Sequence, residues 1–327
     1  MNIAPLNFIR LTIVAFAMIA PSVPAADRSY PAKPLRMIVP YPAGGPTDLI
    51  GRTINGHLTE RLGQAVVVDN RAGADAVIGA EIAAHAPPDG YTLLIATVTT
   101  LVVNPLTKAK LPYDPERDFA PVSMLAAQPY VLAVHPSLPA NSVAQLIAYS
   151  KANPGKLNYG SANVSGSAHL AAEMLKHLAA IDVLHVPYKG TAPAMTDLIA
   201  GRLSFMFTGI STARPQVMSG RLRVLAVSTA KRSAAMPEVP TVAEAGVPGY
   251  ETTGWNSLVV PRGTPRAIID RLNGAVFAIM SSGDVRERLV QQGIDVDAGS
   301  PEDLSRFVKA ERERLAKLIN AIGLKPG

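Results

Sequence analysis

The sequence contains no cysteine among its 327 residues. Disulfide bonds, thiolate nucleophiles and cysteine-bound metals are therefore excluded, and so is a lipid anchor attached to an N-terminal cysteine. Charged residues make up only 17% of the chain, and its basic residues, which give a net charge of +6, are scattered without clusters or interleaved aromatics. This distribution argues against nucleic acid as a partner.

Long apolar runs are also scarce. One run, from Leu11 to Ala20, follows Arg10 near the N-terminus. It is too short to span a bilayer, and Val23-Pro24-Ala25 resembles the small-residue cleavage site of a secretory signal. The helix-breaking Pro21 opposes the alternative of an uncleaved anchor. We therefore predict that residues 1–25 are a cleaved signal peptide and that the mature chain is a soluble periplasmic protein.

The sequence does have a globular composition, with 48% hydrophobic residues. In two series, short apolar runs alternate with amphipathic segments. In the first series, Ile50, Ile54, Leu58 and Leu62 recur every fourth residue, a spacing that predicts a helix between two buried strands. The repeated strand–helix order predicts an α/β fold in which each sheet is mostly parallel and flanked by helices.

A long extended stretch, APVSMLAAQPYVLAVHP, lies between the two series and contains Pro129. It is too long for an ordinary strand, so we interpret it as a strand that leaves one domain and enters another. The Pro- and Gly-rich stretch from Met236 to Trp255 is interpreted as the return crossing. These crossings predict one lobe from residues 26–125 plus 236–327, a second lobe from residues 126–235, and a ligand cleft between them.

In open α/β sheets, ligands bind beyond the carboxyl ends of the strands. Five loops occupy these positions: YPAGGPTD, AT, GSANVSGSAH, YKGTAP and TGIST. In these loops Lys189 is the one cationic residue and Asp48 the one carboxylate. They offer backbone N–H groups and hydroxyls rather than side chains suited to bond breaking. We therefore predict a binding site and not an enzyme, with no metal and no cofactor.

The loop that contains Gly44 and Gly45 suits an anion, because glycines let a ligand approach the backbone and the following helix N-terminus carries unsatisfied N–H groups. It lacks the lysine of a nucleotide-binding P-loop, so a small carboxylate fits better than a nucleotide phosphate. Alternatively, the glycines only form a tight turn, with Thr47 or Asp48 as the helix N-cap. Asp48 could also orient a ligand ammonium or hold a water.

The loop GSANVSGSAHL places Gly and Ser at a second strand-to-helix junction, in the opposite lobe. Two facing helix N-termini could thus hold the two ends of a small diacid. His169, one turn inside this helix, could act as a general base toward Ser165 or Ser167, although NVSGSAH is not the G-x-S-x-G turn of hydrolases. Otherwise His169 supports the loop by hydrogen bonding. The single Trp255 is predicted to lie at the cleft edge or in the core.

Nine segments of the chain occur in the order of one known family: YPAGGPTD, VVVDNRAGA, PDGYTLLIAT, LPYDPERDFAPVSML, NYGSANVSGSAHLAAE, VPYKGTAPAMTDLIAGR, GRLRVLAVSTAKR, PEVPTVAEAGVPGYE and VVPRGTP. Together they resemble the extracytoplasmic binding receptors of tripartite tricarboxylate transporters, the Bug-type proteins. The resemblance implies a two-lobed, type II periplasmic-binding fold that closes around an organic anion. It also implies that the loop from Tyr41 to Asp48 holds one carboxylate through backbone amides, and that the loop from Ser161 to His169 holds the other end.

Loop position and resemblance together predict these ligand-binding residues: Tyr41, Ala43, Gly44, Gly45, Thr47, Asp48, Thr97, Ser161, Asn163, Ser165, Gly166, Ser167, His169 and Thr208. The chain departs from the family pattern at Asp75 and Ala76, which replace glycines, and at Ser204, where Asp is common. In the second loop the hydroxyl is displaced by one residue, to Ser165 or Ser167. The identity of the acid therefore stays open among dicarboxylates, tricarboxylates, aromatic acids and acidic amino acids.

We expect the protein to act as a monomer that captures a small carboxylate by hinge closure and delivers it to the membrane permease subunits of a tripartite tricarboxylate transporter. The same fold would suit a ligand-dependent partner of a sensor kinase. A third hypothesis is a secreted hydrolase that uses Ser165 or Ser167 with His169. The missing hydrolase turn and the lack of a third catalytic group favour the receptor.

Overall fold

The computed structural model describes residues 1, 30–162, 166–188 and 190–323. A compact unit begins at Pro31 and contains every strand and helix discussed below. The predicted signal peptide lies outside the described residues, apart from Met1. None of the described helices is both long and apolar enough to cross a bilayer.

The strands of the described residues are, in chain order, β1 Leu35–Val39, β2 Val66–Asn70, β3 Thr92–Thr97, β4 Phe119–Gln128, β5 Tyr130–Val134, β6 Asn158–Ser161, β7 Leu184–Pro187, β8 Phe205–Gly209, β9 Arg223–Val227, β10 Gly254–Pro261 and β11 Asp295–Val296. The helices are α1 Pro46–Leu62, α2 Val77–Ala84, α3 Asn104–Thr107, α4 Pro115–Asp118, α5 Val143–Ala152, α6 Ser167–Ala179, α7 Thr191–Ile199, α8 Ile210–Met218, α9 Arg266–Met280, α10 Gly283–Gln291 and α11 Pro301–Ala321. A π-helical turn, Thr99–Val103, leads into α3.

The strands form two sheets, with the orders β11-β4-β10-β3-β1-β2 and β7-β6-β8-β5-β9. This confirms the two-lobed α/β architecture. Both sheets are mixed, with most strands of each running in one direction. In the first sheet β10 runs antiparallel to β3 and β4, and in the second β5 runs antiparallel to β8 and β9. Both β5 and β10 enter their sheets directly from a crossing, so no crossover helix fixes their direction.

Pro129 alone separates β4, in the first sheet, from β5, in the second. The chain therefore passes between lobes where a residue without a backbone N–H ends the pairing of β4. The strands of the first sheet span residues 35–128 and 254–296, and those of the second span residues 130–227. The exact domain boundaries stay a prediction.

Ser228 ties the two crossings together. Its N–H donates to the carbonyl of Tyr130 at 2.8 Å, and its hydroxyl accepts from the Tyr130 N–H at 3.1 Å. The same hydroxyl donates to the carbonyl of Thr252 at 2.6 Å, while the Thr252 N–H donates to the Ser228 carbonyl at 2.9 Å. Outgoing and returning segments are thus joined by four hydrogen bonds at one residue.

The sequence pattern explains most helices and misses several short ones. The α1 helix ends at Gly63, whose φ of 70° is the left-handed value that glycine adopts freely. The loop TGIST was expected to be irregular, but α8 begins at Ile210, immediately after β8. The sequence pattern did not predict α8 because the helix contains Pro215, and proline disfavours a helix interior. Trp255 is buried and packs edge-on against Phe307 of α11, with ring centroids 5.4 Å apart, so it is a core residue.

Candidate functional site

The loop after β1 is held by a buried carboxylate. Asp48 accepts hydrogen bonds from the Gly44 N–H at 2.8 Å, from Arg52 Nε at 2.9 Å and from Asn70 Nδ2 at 2.9 Å. Asn70 Nδ2 also donates to the Tyr41 carbonyl at 3.1 Å. Burial raises the pKa of Asp48, but hydrogen bonds from Arg52, Gly44 and Asn70 outweigh it, so the pKa lies below its ordinary value. Asp48 is therefore an ionised residue that positions the loop.

The N-cap of α1 is Gly45, which has no side chain to cap with. The alternative in which Thr47 or Asp48 is the N-cap is therefore wrong. Asp48 is the third helical residue, and its carboxylate accepts from the N–H of Gly44, one residue before the N-cap. The φ of Gly44 is 85°, and a Cβ there would meet no atom within 4 Å, so the backbone conformation rather than lack of space requires glycine.

This arrangement decides which amides can serve a ligand. The Gly44 N–H is already used by Asp48. By contrast, no described residue accepts a hydrogen bond from the N–H groups of Gly45, Thr47 or Asp48. Since the first N–H groups of a helix carry its partial positive charge, this end of α1 presents three donors to an anion.

Tyr41 and Thr97 are brought together at the ends of β1 and β3. The Tyr41 hydroxyl lies 3.1 Å from Thr97 Oγ1. Burial raises the pKa of Tyr41, opposed by hydrogen bonds with Thr97 and Thr99, and the charge of Asp75 raises it further. Tyr41 is thus a neutral phenol that can donate a hydrogen bond.

The second loop contributes Ser167, the first residue of α6, whose N-cap is Gly166. Asn163 and Ser165 lie outside the described residues, as does Lys189. Burial raises the pKa of Tyr130 to about 12, opposed by its hydrogen bond with Ser167, and nearby Tyr41 raises it further. Tyr41 of β1's loop and Tyr130 of β5 are thus close enough for one to raise the pKa of the other.

Ser161 and His169 belong to a cluster of stacked rings in the second lobe. The His169 ring lies 4.3 Å from that of His185 and 6.2 Å from that of Tyr159, between centroids. Ser161 Oγ lies 2.7 Å from His185 Nε2. Burial lowers the pKa of His169 to about 4, helped by His185 and Lys176 and opposed by Glu173. His169 is thus a neutral, buried ring, and Ser161 of the same cluster is paired with His185.

Glu173 anchors this cluster. Its carboxylate accepts a hydrogen bond from the Tyr159 hydroxyl at 2.6 Å and from Lys176 Nζ at 2.7 Å. Burial raises the pKa of Glu173, but Lys176 and Tyr159 outweigh it, and the pKa is lowered. The cluster supports the strand end at Ser161 and the first turn of α6.

Thr208 lies at the end of β8, opposite Val131 of β5. It is buried, and its Oγ1 has no hydrogen-bond partner among the described residues. Because neighbouring residues of a strand point to opposite faces, Thr208 lies on the other face of the sheet from Tyr130. The structure therefore does not bring these two residues together.

Sequence reasoning missed Tyr130, Gln128 and Asn256 as polar residues near this site. Asn256 is fully buried, and both atoms of its carboxamide, like Nε2 of Gln128, lack a hydrogen-bond partner among the described residues. A polar residue inside the apolar strand GWNSLVVP was the signal that could have indicated Asn256. The described residues contain no group of three or more His, Asp or Glu side chains that could hold a metal.

A family model described as the tripartite tricarboxylate transporter family receptor matches residues 50–324, well over half of the chain. The chain belongs to this receptor family. The family is one of substrate-binding receptors and not of enzymes.

Individual members of the receptor family are similar over almost their whole length. BugT of Bordetella pertussis is 35% identical over 324 residues, which is 98% of this chain and 99% of BugT. Rpa4515 of R. palustris, solved with adipate, is 39% identical with a TM-score of 0.84, covering 91% of this chain and 100% of Rpa4515. MatC (Rpa3494) of Rhodopseudomonas palustris, solved with bound malate, is 31% identical with a TM-score of 0.78, covering 89% and 100%. The Bug-type resemblance and the two-lobed fold are thus confirmed.

One departure from the receptor family's pattern has a visible backbone cost. Ala74, Asp75 and Ala76 have φ values of 48°, 55° and 68°, in the region that favours glycine. Asp75 compensates by pairing with Lys108 Nζ at 2.9 Å, and its carbonyl accepts from Asn104 Nδ2 at 2.9 Å. Glycines would adopt this backbone conformation without strain. In this chain the contacts of Asp75 offset part of the strain.

Proposed function

We propose that this chain is the extracytoplasmic receptor of a tripartite tricarboxylate transporter and binds a small organic carboxylate between its two lobes. The observation that carries the proposal is the N-terminus of α1, where three backbone N–H groups, of Gly45, Thr47 and Asp48, lack acceptors among the described residues. Membership of the receptor family and the adipate and malate complexes of Rpa4515 and MatC support the same ligand class.

The first lobe holds one ligand carboxylate by main-chain donors. Each hydrogen bond to a charged oxygen contributes about 1.5–3 kcal/mol, so two or three of them offset much of the dehydration of a carboxylate without an arginine. The Asp48 network fixes these donors before the ligand arrives, which lowers the entropic cost of binding. Tyr41 and Thr97 add hydroxyl donors beside them.

The second lobe completes the site. Ser167 and Tyr130 supply hydroxyls, and Gly166 begins a second helix whose N-terminus faces the ligand's other end. Asn163, Ser165 and Thr208 stay candidate contacts, while Ser161 and His169 support the loop. Binding favours the closed state because only that state lets both lobes contact one ligand. We further propose that the receptor works in the periplasm and that its closed form is recognised by the permease subunits.

The test is calorimetric titration of the purified protein with a panel of dicarboxylates and tricarboxylates, followed by recovery of the ligand. We expect binding of at least one acid and its recovery unchanged. Thr47→Pro removes one N–H donor from the first turn of α1, where proline is tolerated, and should weaken binding at least tenfold.

The control is Ala267→Pro, because Ala267 is exposed and is the second residue of α9 as Thr47 is of α1. Helix α9 follows β10, which runs antiparallel to β3. Its N-terminus therefore lies at the opposite end of the strands from the N-terminus of α1. Binding should be unchanged in the control. Absence of heat with every acid, or equal binding by the Thr47→Pro protein, would refute the proposal, and turnover of an acid would indicate an enzyme.

A further inference from the structure

Asn256 of β10 is the most unusual polar residue of the described chain. Its side chain is fully buried, and neither Nδ2 nor Oδ1 has a hydrogen-bond partner among the described residues. Leaving a buried donor or acceptor unpaired is costly, and here both ends of one carboxamide are unpaired. A group with such a cost is expected where a ligand completes its hydrogen bonds.

The register of the first sheet directs this side chain toward the proposed site. Asn256 lies directly opposite Thr97 across the antiparallel β10–β3 pair. Directly opposed residues place their side chains on the same face, so the carboxamide lies on the face that carries the Thr97 hydroxyl, which contacts Tyr41.

A second marker on the same face agrees. Gly254 is two residues before Asn256 and so shares its face. A Cβ built at Gly254 would lie 2.8 Å from the hydroxyl oxygen of Tyr130. The face that carries Asn256 is therefore bordered by Thr97 on β3 and, two residues away at Gly254, by the hydroxyl of Tyr130 on β5.

The carboxamides of half-buried Asn273 and buried Asn104 are, by contrast, paired. Asn273 Nδ2 donates to the carbonyls of Val122 and Gly299 at 2.8 and 2.9 Å. Asn104 Nδ2 donates to the carbonyl of Asp75 at 2.9 Å. The unpaired state is thus particular to the asparagine at the cleft.

A carboxamide presents a donor and an acceptor side by side. A carboxylate offers acceptors only, so it could pair with Nδ2 but would leave Oδ1 unpaired and facing negative oxygen. A 2-hydroxy carboxylate offers both groups, because its hydroxyl can donate to Oδ1 while an adjacent carboxylate oxygen accepts from Nδ2. This pairing satisfies the whole carboxamide.

We propose that Asn256 is a specificity-determining residue that selects acids with a hydroxyl next to a carboxylate over the same acids without it. The inference rests on the proposed function, since it names the ligand class of that site. Asn256 is not required for binding a carboxylate as such, because the amides of α1 supply that. It decides which carboxylate binds more tightly.

The experiment is calorimetry of the purified protein with acids that differ by one hydroxyl: succinate and malate, glutarate and 2-hydroxyglutarate, adipate and 2-hydroxyadipate, tricarballylate and citrate. We expect the hydroxy acid to bind at least tenfold more tightly in each pair that binds, because a site built for a hydroxyl leaves its polar groups unpaired without it. The Asn256→Leu protein should bind both members of the pair with affinities within about twofold, since an apolar side chain contributes no such discrimination.

Asn273→Leu is the matched control, because it removes a paired carboxamide on the helix α9 side of β4, and its hydroxyl preference should be that of the unchanged protein. The comparison on the unchanged protein needs no variant, so it decides the matter even where a variant does not fold. Equal affinities within every binding pair, or a preference that survives Asn256→Leu, would overturn this inference alone. Failure of all the acids to bind would instead overturn the proposed function.

Discussion

The two lobes support their strand-end loops by different means. In the first lobe an ionised carboxylate, Asp48, holds the loop through Gly44, Arg52 and Asn70. In the second lobe neutral stacked rings, with His169 at a pKa of about 4, lie behind the loop. The carboxylate thus bonds the loop directly in the first lobe, whereas in the second lobe Glu173 anchors rings that pack behind the loop. The two halves should therefore respond differently to substitution and to pH.

The largest effect is expected from breaking the charged half. Asp48→Ala leaves three donors without their acceptor, and it should lower the free energy of unfolding by about 3 kcal/mol and weaken carboxylate binding. Urea unfolding and calorimetry would measure the two effects. Asp69→Ala is the control, because Asp69 also pairs with two arginines, Arg36 and Arg71, but near the surface, where such pairs contribute less than about 1 kcal/mol. Equal losses in both proteins would show that the Asp48 network has no special role.

The ring cluster of the second lobe should make the stability of the protein depend on pH. The folded pKa of His169 lies at about 4, below the ordinary value of about 6.5, so the unfolded chain binds a proton that the folded chain does not. Stability should therefore be complete above about pH 6.5 and fall as the pH drops toward 4, by about 2 kcal/mol at pH 5. His169→Phe keeps a ring in the stack and should flatten this slope. The lowered pKa of Asp48 acts in the opposite range, with its stability lost only below its ordinary value of 3.8.

Asn256 and Asn273 allow an unpaired carboxamide to be compared with a paired one. Asn256→Leu removes two unpaired buried atoms and should raise the free energy of unfolding of the ligand-free protein by about 1 kcal/mol. Asn273→Leu removes a carboxamide that serves two carbonyls and should lower it by about 1–3 kcal/mol. Thermal unfolding of both proteins would measure the signs. A loss of stability in Asn256→Leu would mean that its carboxamide is already paired.

The smallest effect is expected in the loop after β2, which supports the first lobe. Ala74 is exposed with a φ of 48°, so Ala74→Gly relieves strain without loss of burial and should stabilise the protein by about 0.5–1 kcal/mol. Ala310→Gly, at an exposed position of α11, should instead destabilise it by about 1 kcal/mol. The same sign for both substitutions would remove the argument from backbone strain.

The repeated strand–helix pattern and the stretch around Pro129 were sufficient to predict two lobes and their crossings. The direction of β5 and β10 could not be predicted, since an apolar run has no direction until its neighbours are known. At the site, the positions of Gly44 and Asp48 in the loop were sufficient to predict both as site residues. The hydrogen bond between them could not be predicted, because it depends on which of several possible turns the loop adopts. Asn256 was missed because its partner Thr97 lies 159 residues away in the chain and only the sheet register brings them together.

The joining of both crossings at Ser228 bears on how such a receptor can be selective for length as well as for chemistry. Two independent linkers would let the lobes approach along many directions, and ligands of different size could each find a fit. Segments bonded to one another at a single residue restrict the approach to one axis, so the distance between the two helix N-termini varies along one path only. Each ligand length would then correspond to a single degree of closure, which Ser228 helps to set without touching the ligand.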